Sequence, residues 1–329
     1  MPDSERLAEA VAAGDLDELL RLADAFCDDQ AWDALADLRA RCIRAHEETG
    51  RQLWPAAAHA EYRLALEAPG PWAASVLVEG AGRFALGPLP EVAASTHPWA
   101  DLAPHVPPGP AAVIAAHERV VRGEDLTGVE LPGPPVLDLP LRLEPWEPDY
   151  SLAEYRAHEA DFPGPSLPPV ADVSLPVAAT VVDDPVAVDA LVGAVAAWTA
   201  GSEGHAHGVA VEGDAPAAIR ALGATGARAT DLTMESALAL IGWAGASGGV
   251  HGRRPGAAAG RMSAWWVVAA LAELDEAWPP PPDVVGGAAD RLHWLTWDHG
   301  SPSPGWALRL AVEDRARGRA WAIDAADAG

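Results

Sequence analysis

Ten prolines fall within residues 128–170, a stretch of 43 residues that also carries a net charge of −6. Proline has no amide hydrogen to give to a helix or an interior strand, and its ring fixes φ. It also pushes the residue before it out of the helical region. Such a stretch cannot build a core of its own. The chain is therefore read in three parts: 1–127, a Pro-rich linker or wrapping arm over 128–170, and 171–329. Trp146, Tyr150 and Tyr155 lie in the middle part. A free linker has little use for aromatic side chains, so they favour an arm that pins itself to a surface.

Before the arm, the pattern is helical. Leu16, Leu19, Leu20, Ala23, Phe26 and Cys27 recur at the spacing of one helix face. Trp32, Leu35, Leu38, Cys42 and Ala45 make a second stripe that Gly50 ends, and Pro55 opens a further helix with Ala58, Tyr62 and Leu66. Shorter, proline-bounded helices are expected at 90–94, 99–105 and 110–122. No repeat period recurs, so the part reads as an irregular helical array. Within the arm, one helical turn is expected at 152–160.

After the arm, apolar runs alternate in type. Strands are expected at 177–182, 208–212, 227–229, 292–297, 306–312 and 319–324. Helices are expected at 186–198, 216–222, 232–246 and 257–277. In a strand over 292–297, Trp294 and Trp297 point to opposite faces, which leaves one of them for solvent or a partner. The expected class is α+β or α/β: an N-terminal all-α helical array, then a C-terminal mixed-sheet domain covered by helices.

Composition removes several functions. All 22 basic residues are arginine, and lysine and asparagine are both missing. That excludes lysine Schiff-base chemistry, a P-loop and a protein-kinase core. Codons for lysine and asparagine both begin with two adenines, so their joint loss points to a GC-rich genome. The net charge of −26 repels phosphate backbones, and no basic stripe interleaved with aromatics offsets it, so no nucleic-acid partner is expected. No long uncharged apolar run is present, so no membrane span is expected. Cys27 and Cys42 sit at apolar helical positions and read as small buried hydrophobes, and the acidic charge suits a crowded cytoplasm. No cofactor motif is present, and no cofactor is expected.

The segment 247–261 is the most distinctive. Gly248, Gly249, His251, Arg253, Arg254 and Arg261 crowd into it, between the two most apolar expected helices. One reading is an anion site, with backbone N–H groups and guanidiniums around a phosphate or carboxylate. The other is structural, with small residues letting two helices approach and arginines paired with acids. Gly252, Gly256 and Gly260 recur every fourth residue, although Pro255 argues for a loop before the helix. A second constellation is His205, His207 and His293, which as metal ligands would suit a metal-dependent hydrolase. No His-Glu-x-x-His pattern accompanies them.

The run Ser247-Gly-Gly-Val-His-Gly-Arg-Arg-Pro-Gly256 and its continuation to Trp266, with the endings 305–314 and 321–327, resembles an uncharacterised actinobacterial family of unknown function. The resemblance covers the last third of the chain. It implies a bacterial cytoplasmic origin and carries no functional residue. With no complete catalytic set, the leading expectation is a non-catalytic interaction or scaffold protein with a protein partner on its helical surface. A small-anion binding protein or enzyme at 247–261 is the alternative.

Overall fold

Asp15 begins the first long amphipathic helix: its side chain accepts the Glu18 N–H at 3.0 Å, filling an N-terminal donor that the helix leaves unpaired. Gly50 ends the next long helix with φ of 70°, a left-handed conformation that costs glycine little. Signals of this kind divide the N-terminal part in the computed structural model, which describes residues 3–300 and 305–328. Its helices are α1 (Asp3–Ala13), α2 (Leu16–Asp28), α3 (Trp32–Thr49), α4 (Trp54–Glu67), α5 (Gly70–Ser75), α6 (Leu89–Thr96), α7 (Trp99–Leu102) and α8 (Pro110–Val121). Leu19, Leu22, Leu35, Leu38, Cys42, Leu64 and Val120 are buried in its core.

The chain forms two compact units. One holds the residues through Leu137 together with Ala153–Asp161; the other holds Asp138–Leu152 and the residues from Phe162 onward. The 152–160 stretch is not a helical turn. It is a hairpin of β1 (Glu154–Tyr155) and β2 (Ala160–Asp161), closed by the Arg156 N–H on the Glu159 carbonyl at 2.9 Å. Tyr155 donates its hydroxyl to the buried Glu91 carboxylate at 2.7 Å. Tyr155→Phe removes that donor from a desolvated acid. The expected loss is about 1–3 kcal/mol of stability, read by urea unfolding; an unchanged midpoint would show that the hairpin is not held there.

The second unit contains β3 (Ala171–Val173), β4 (Thr180–Val181), α9 (Pro185–Gly193), α10 (Ala196–Ala200), β5 (His205–Glu212), α11 (Ala215–Ala221), β6 (Ala227–Leu232), α12 (Met234–Ala246), α13 (Ala257–Leu271), α14 (Pro282–Arg291), β7 (His293–Asp298), β8 (Trp306–Asp314) and β9 (Arg319–Asp327). The strands form one sheet in the order β3-β6-β7-β8-β9-β5-β4. The class is α+β. Every described pairing is antiparallel, so the sheet is not mixed. The short β8–β9 connection forces that sense locally, and β5 and β6 extend the meander at its two sides.

Helices cover both faces. Helix α11 packs on Val211, Leu295, Trp297, Ala311 and Ala322. Helix α9 lies on the other face, where a Cβ built on Gly208 would meet Val188 and Val192. Trp294 and Trp297 are therefore both buried, and neither is left for solvent. Among the described residues, no helix is long and apolar enough to cross a membrane.

Candidate functional site

The loop after α12 closes on a carboxylate. Trp198 donates its indole N–H to the Ser247 hydroxyl at 2.6 Å, and the Val250 N–H reaches Asp327 Oδ2 at 2.7 Å. Gly249 has φ of +68°, and a Cβ there would stand 2.1 Å from Asp327 Oδ2. A Cβ on Gly248 would stand 2.2 Å from the Gly252 carbonyl. Both glycines are thus explained by close approach within a tight turn. His251 is exposed, and its backbone N–H donates to the Ser202 hydroxyl at 3.2 Å.

The three arginines have different surroundings. Arg253 is exposed. The Arg254 guanidinium lies over the Phe162 ring, 4.8 Å from its centroid. Arg261 is 0% exposed and donates to both oxygens of Glu147, whose side chain is also 0% exposed. It also donates to the Pro140 and Arg142 carbonyls at 2.8 and 2.7 Å. A buried Arg261 and an exposed Arg253 do not converge on one anion. The reason is that α13 turns Arg261 inward, toward the 138–152 stretch. Glu147 further accepts from the Glu144 N–H, the Tyr150 hydroxyl and the Trp265 indole. Burial beside this carboxylate pushes the Tyr150 hydroxyl well above its usual pKa.

The three histidines are also apart. His205 and His207 lie on β5, with His207 opposite Asp324 of β9. His293 lies on β7, beside Asp231 at 3.1 Å and Glu313 at 3.5 Å. Three strand spacings separate β5 from β7, roughly 14 Å, so His205, His207 and His293 cannot share one ion. The same sheet face instead gathers His299, Asp324 and Arg309. Asp324 accepts from His299 at 2.9 Å and from Arg309 at 2.7 Å.

Burial alone would raise the Asp324 pKa, but those two hydrogen bonds together with the charges of Arg309 and His299 outweigh it and hold the carboxyl below its usual range. A depressed folded-state value stabilises the fold above the unfolded carboxylate range. That contribution disappears as pH falls through the folded value. Asp324→Asn is therefore expected to flatten the acid side of the stability profile, measured by denaturation midpoints across acidic buffers. A profile as steep as that of the parent chain would remove Asp324 as a cause.

The helical unit holds a constellation that linear spacing does not reveal. Trp54 opens α4 and packs against Phe84, with ring centroids 3.9 Å apart and planes tilted by 38°. Phe84 is 52% exposed, and Leu86 beside it is exposed too. The pair lies between two cavities. One, of about 220 Å³, is lined by His59, Tyr62, Leu86 and His158 as well as the pair. The other, of about 560 Å³, is lined by Ile43, His46, Glu61 and Arg83 as well as the pair. On the first cavity, His59 Nε2 is 3.0 Å and His158 Nε2 is 3.8 Å from Asp24 Oδ1. Arg63 binds the same oxygen at 2.5 Å and grips Glu67 with two further N–H groups at 2.7 and 2.9 Å. Asp24, His59 and His158 belong to α2, α4 and the β1–β2 turn. Only the fold brings them together.

No curated protein and no solved structure matches the chain. A family model described as "Family of unknown function (DUF6183)" matches residues 17–329. The match runs through both units and is not confined to the last third of the chain. The chain belongs to this family of unknown function.

Proposed function

We propose that the chain is a non-catalytic interaction protein whose helical unit takes a partner protein on the Trp54–Phe84 platform. Half-buried Trp54 and exposed Phe84, set between two cavities, carry this reading. A few residues dominate the energy of protein recognition, with Trp and Arg enriched among them, and flanking cavities receive the partner's own anchors. Arg83 is exposed beside Phe84, with its guanidinium 5.5 Å from the ring centroid. The favoured partner segment therefore offers an apolar side chain next to a carboxylate. The proposal includes a cytoplasmic site of action in an actinobacterium, on the strength of the lysine-free composition and two buried free thiols.

A photo-crosslinking residue at position 84, with Val177 as an exposed control position, tests it in the native cytoplasm. The expected result is a discrete adduct at position 84, absent at 177, that Trp54→Ala and Arg83→Glu each abolish. An adduct pattern identical at both positions, or none at 84, would overturn it.

A further inference from the structure

We infer that Asp24, His59 and His158 form a binding site for a divalent transition-metal ion, which clasps the β1–β2 turn onto α2 and α4. Each residue offers one ligand atom, and these atoms all lie within 4.8 Å of one another. A tetrahedral ion with ligands at about 2.0–2.1 Å sets its donors about 3.3 Å apart. The observed separations of 3.0 and 3.8 Å from Asp24 Oδ1 bracket that value.

The two imidazoles stack at 5.5 Å between centroids and 13° between planes, both with Nε2 toward the same carboxylate. His158 is 64% exposed on a short turn, so a small swing closes the remaining gap. His59 and His158 also line the 220 Å³ cavity, which leaves room for water or a ligand at a further coordination position.

Charge supports a dication. Arg63 is the nearest cation; it shares Asp24 Oδ1, which the ion would bind opposite the guanidinium, and Glu67 grips it through both oxygens. Asp24, Glu67 and Arg63 together sum to one negative charge. Two imidazoles and a carboxylate suit zinc, cobalt or nickel rather than calcium or magnesium, which require oxygen ligands. Cys27 lies on the same helix but is buried, and its sulfur is not among the ligand atoms that gather here.

This inference is independent of the partner reading, because its readouts use purified protein and metal alone. Zinc titrated against a chromophoric chelator is expected to show one site per chain. His158→Ala and Asp24→Asn are each expected to weaken that site by at least about tenfold, since losing a ligand exceeds the loss from an outer-shell partner. His158 is exposed, so His158→Ala leaves the fold intact. His207→Ala, on the sheet of the other unit, is expected to bind as the parent does. Zinc is also expected to slow amide hydrogen exchange at residues 156–160 in the parent and not in His158→Ala. Absence of saturable zinc binding, parent-like affinity in His158→Ala, or loss of affinity in His207→Ala alone would each overturn the site. The first would leave a hydrogen-bonded cluster; the others would move the metal elsewhere.

Discussion

Replacing Arg261 with methionine is expected to remove about 3–5 kcal/mol of unfolding free energy. The partner left behind is the Glu147 carboxylate, on a side chain 0% exposed, which accepts five hydrogen bonds and loses two of them with the guanidinium. Tyr150 and Trp265 still donate to it, but no positive charge remains to offset its desolvation. The Pro140 and Arg142 carbonyls lose their donor in the same step. Removing both charges is expected to cost less than removing one, because a buried pair replaced by apolar groups of similar volume avoids the unpaired charge. Chemical denaturation of Arg261→Met, Glu147→Leu and the double variant provides the cycle. A single-variant loss under about 1 kcal/mol would mean that water reaches Glu147 and that the anchor is not buried in solution.

Gly260→Ala is expected to cost roughly 3 kcal/mol, although alanine is the better helix former by about 1 kcal/mol. The new Cβ would stand 2.0 Å from the Gly242 carbonyl oxygen and 3.0 Å from the Ala246 Cβ and backbone nitrogen. These are mostly backbone atoms of α12, so relief requires separating α12 from α13. Gly287→Ala on α14 is the matched control. Its Cβ would meet only the far end of Arg291, at 3.7 Å, so this change is expected to stabilise by up to about 1 kcal/mol. Thermal and urea unfolding of the two variants should shift in opposite directions. Equal shifts would show that helix propensity, not contact, controls both sites.

Much of the local structure was legible. The stripes from Leu16 to Cys27 and from Trp32 to Ala45 became α2 and α3, because a 3.6-residue period allows little else. The alternating runs around 306–312 and 319–324 became β8 and β9 for the same kind of reason. Tyr155 was misplaced, in a helical turn, because its hairpin is held by Glu91, a residue 64 positions away. The sheet's antiparallel sense was missed because strand–helix alternation suggests crossovers, and nothing local says which edge β5 or β6 will join. Among the candidate residues, Gly248 and Gly249 make close backbone approaches that any Cβ would block. The Gly249 turn packs on Asp327, 78 positions further along the chain, and no local pattern announces that contact.

By itself the sequence determined the course of the most strongly patterned elements, α2, α3, β8 and β9 among them, and which chemistries a lysine-free chain cannot perform. Those are properties of nearest neighbours, of backbone geometry and of residue types present or absent. Tertiary structure alone decided which charges are anchors and which are available. Arg253 and Arg261 are the same residue type in the same segment, yet one is exposed and the other pairs with a carboxylate 114 positions away. Desolvation makes that difference, and desolvation is set by whatever the fold packs around a side chain. The same holds for Asp24, His59 and His158, whose shared atoms come from three elements with no periodicity in common.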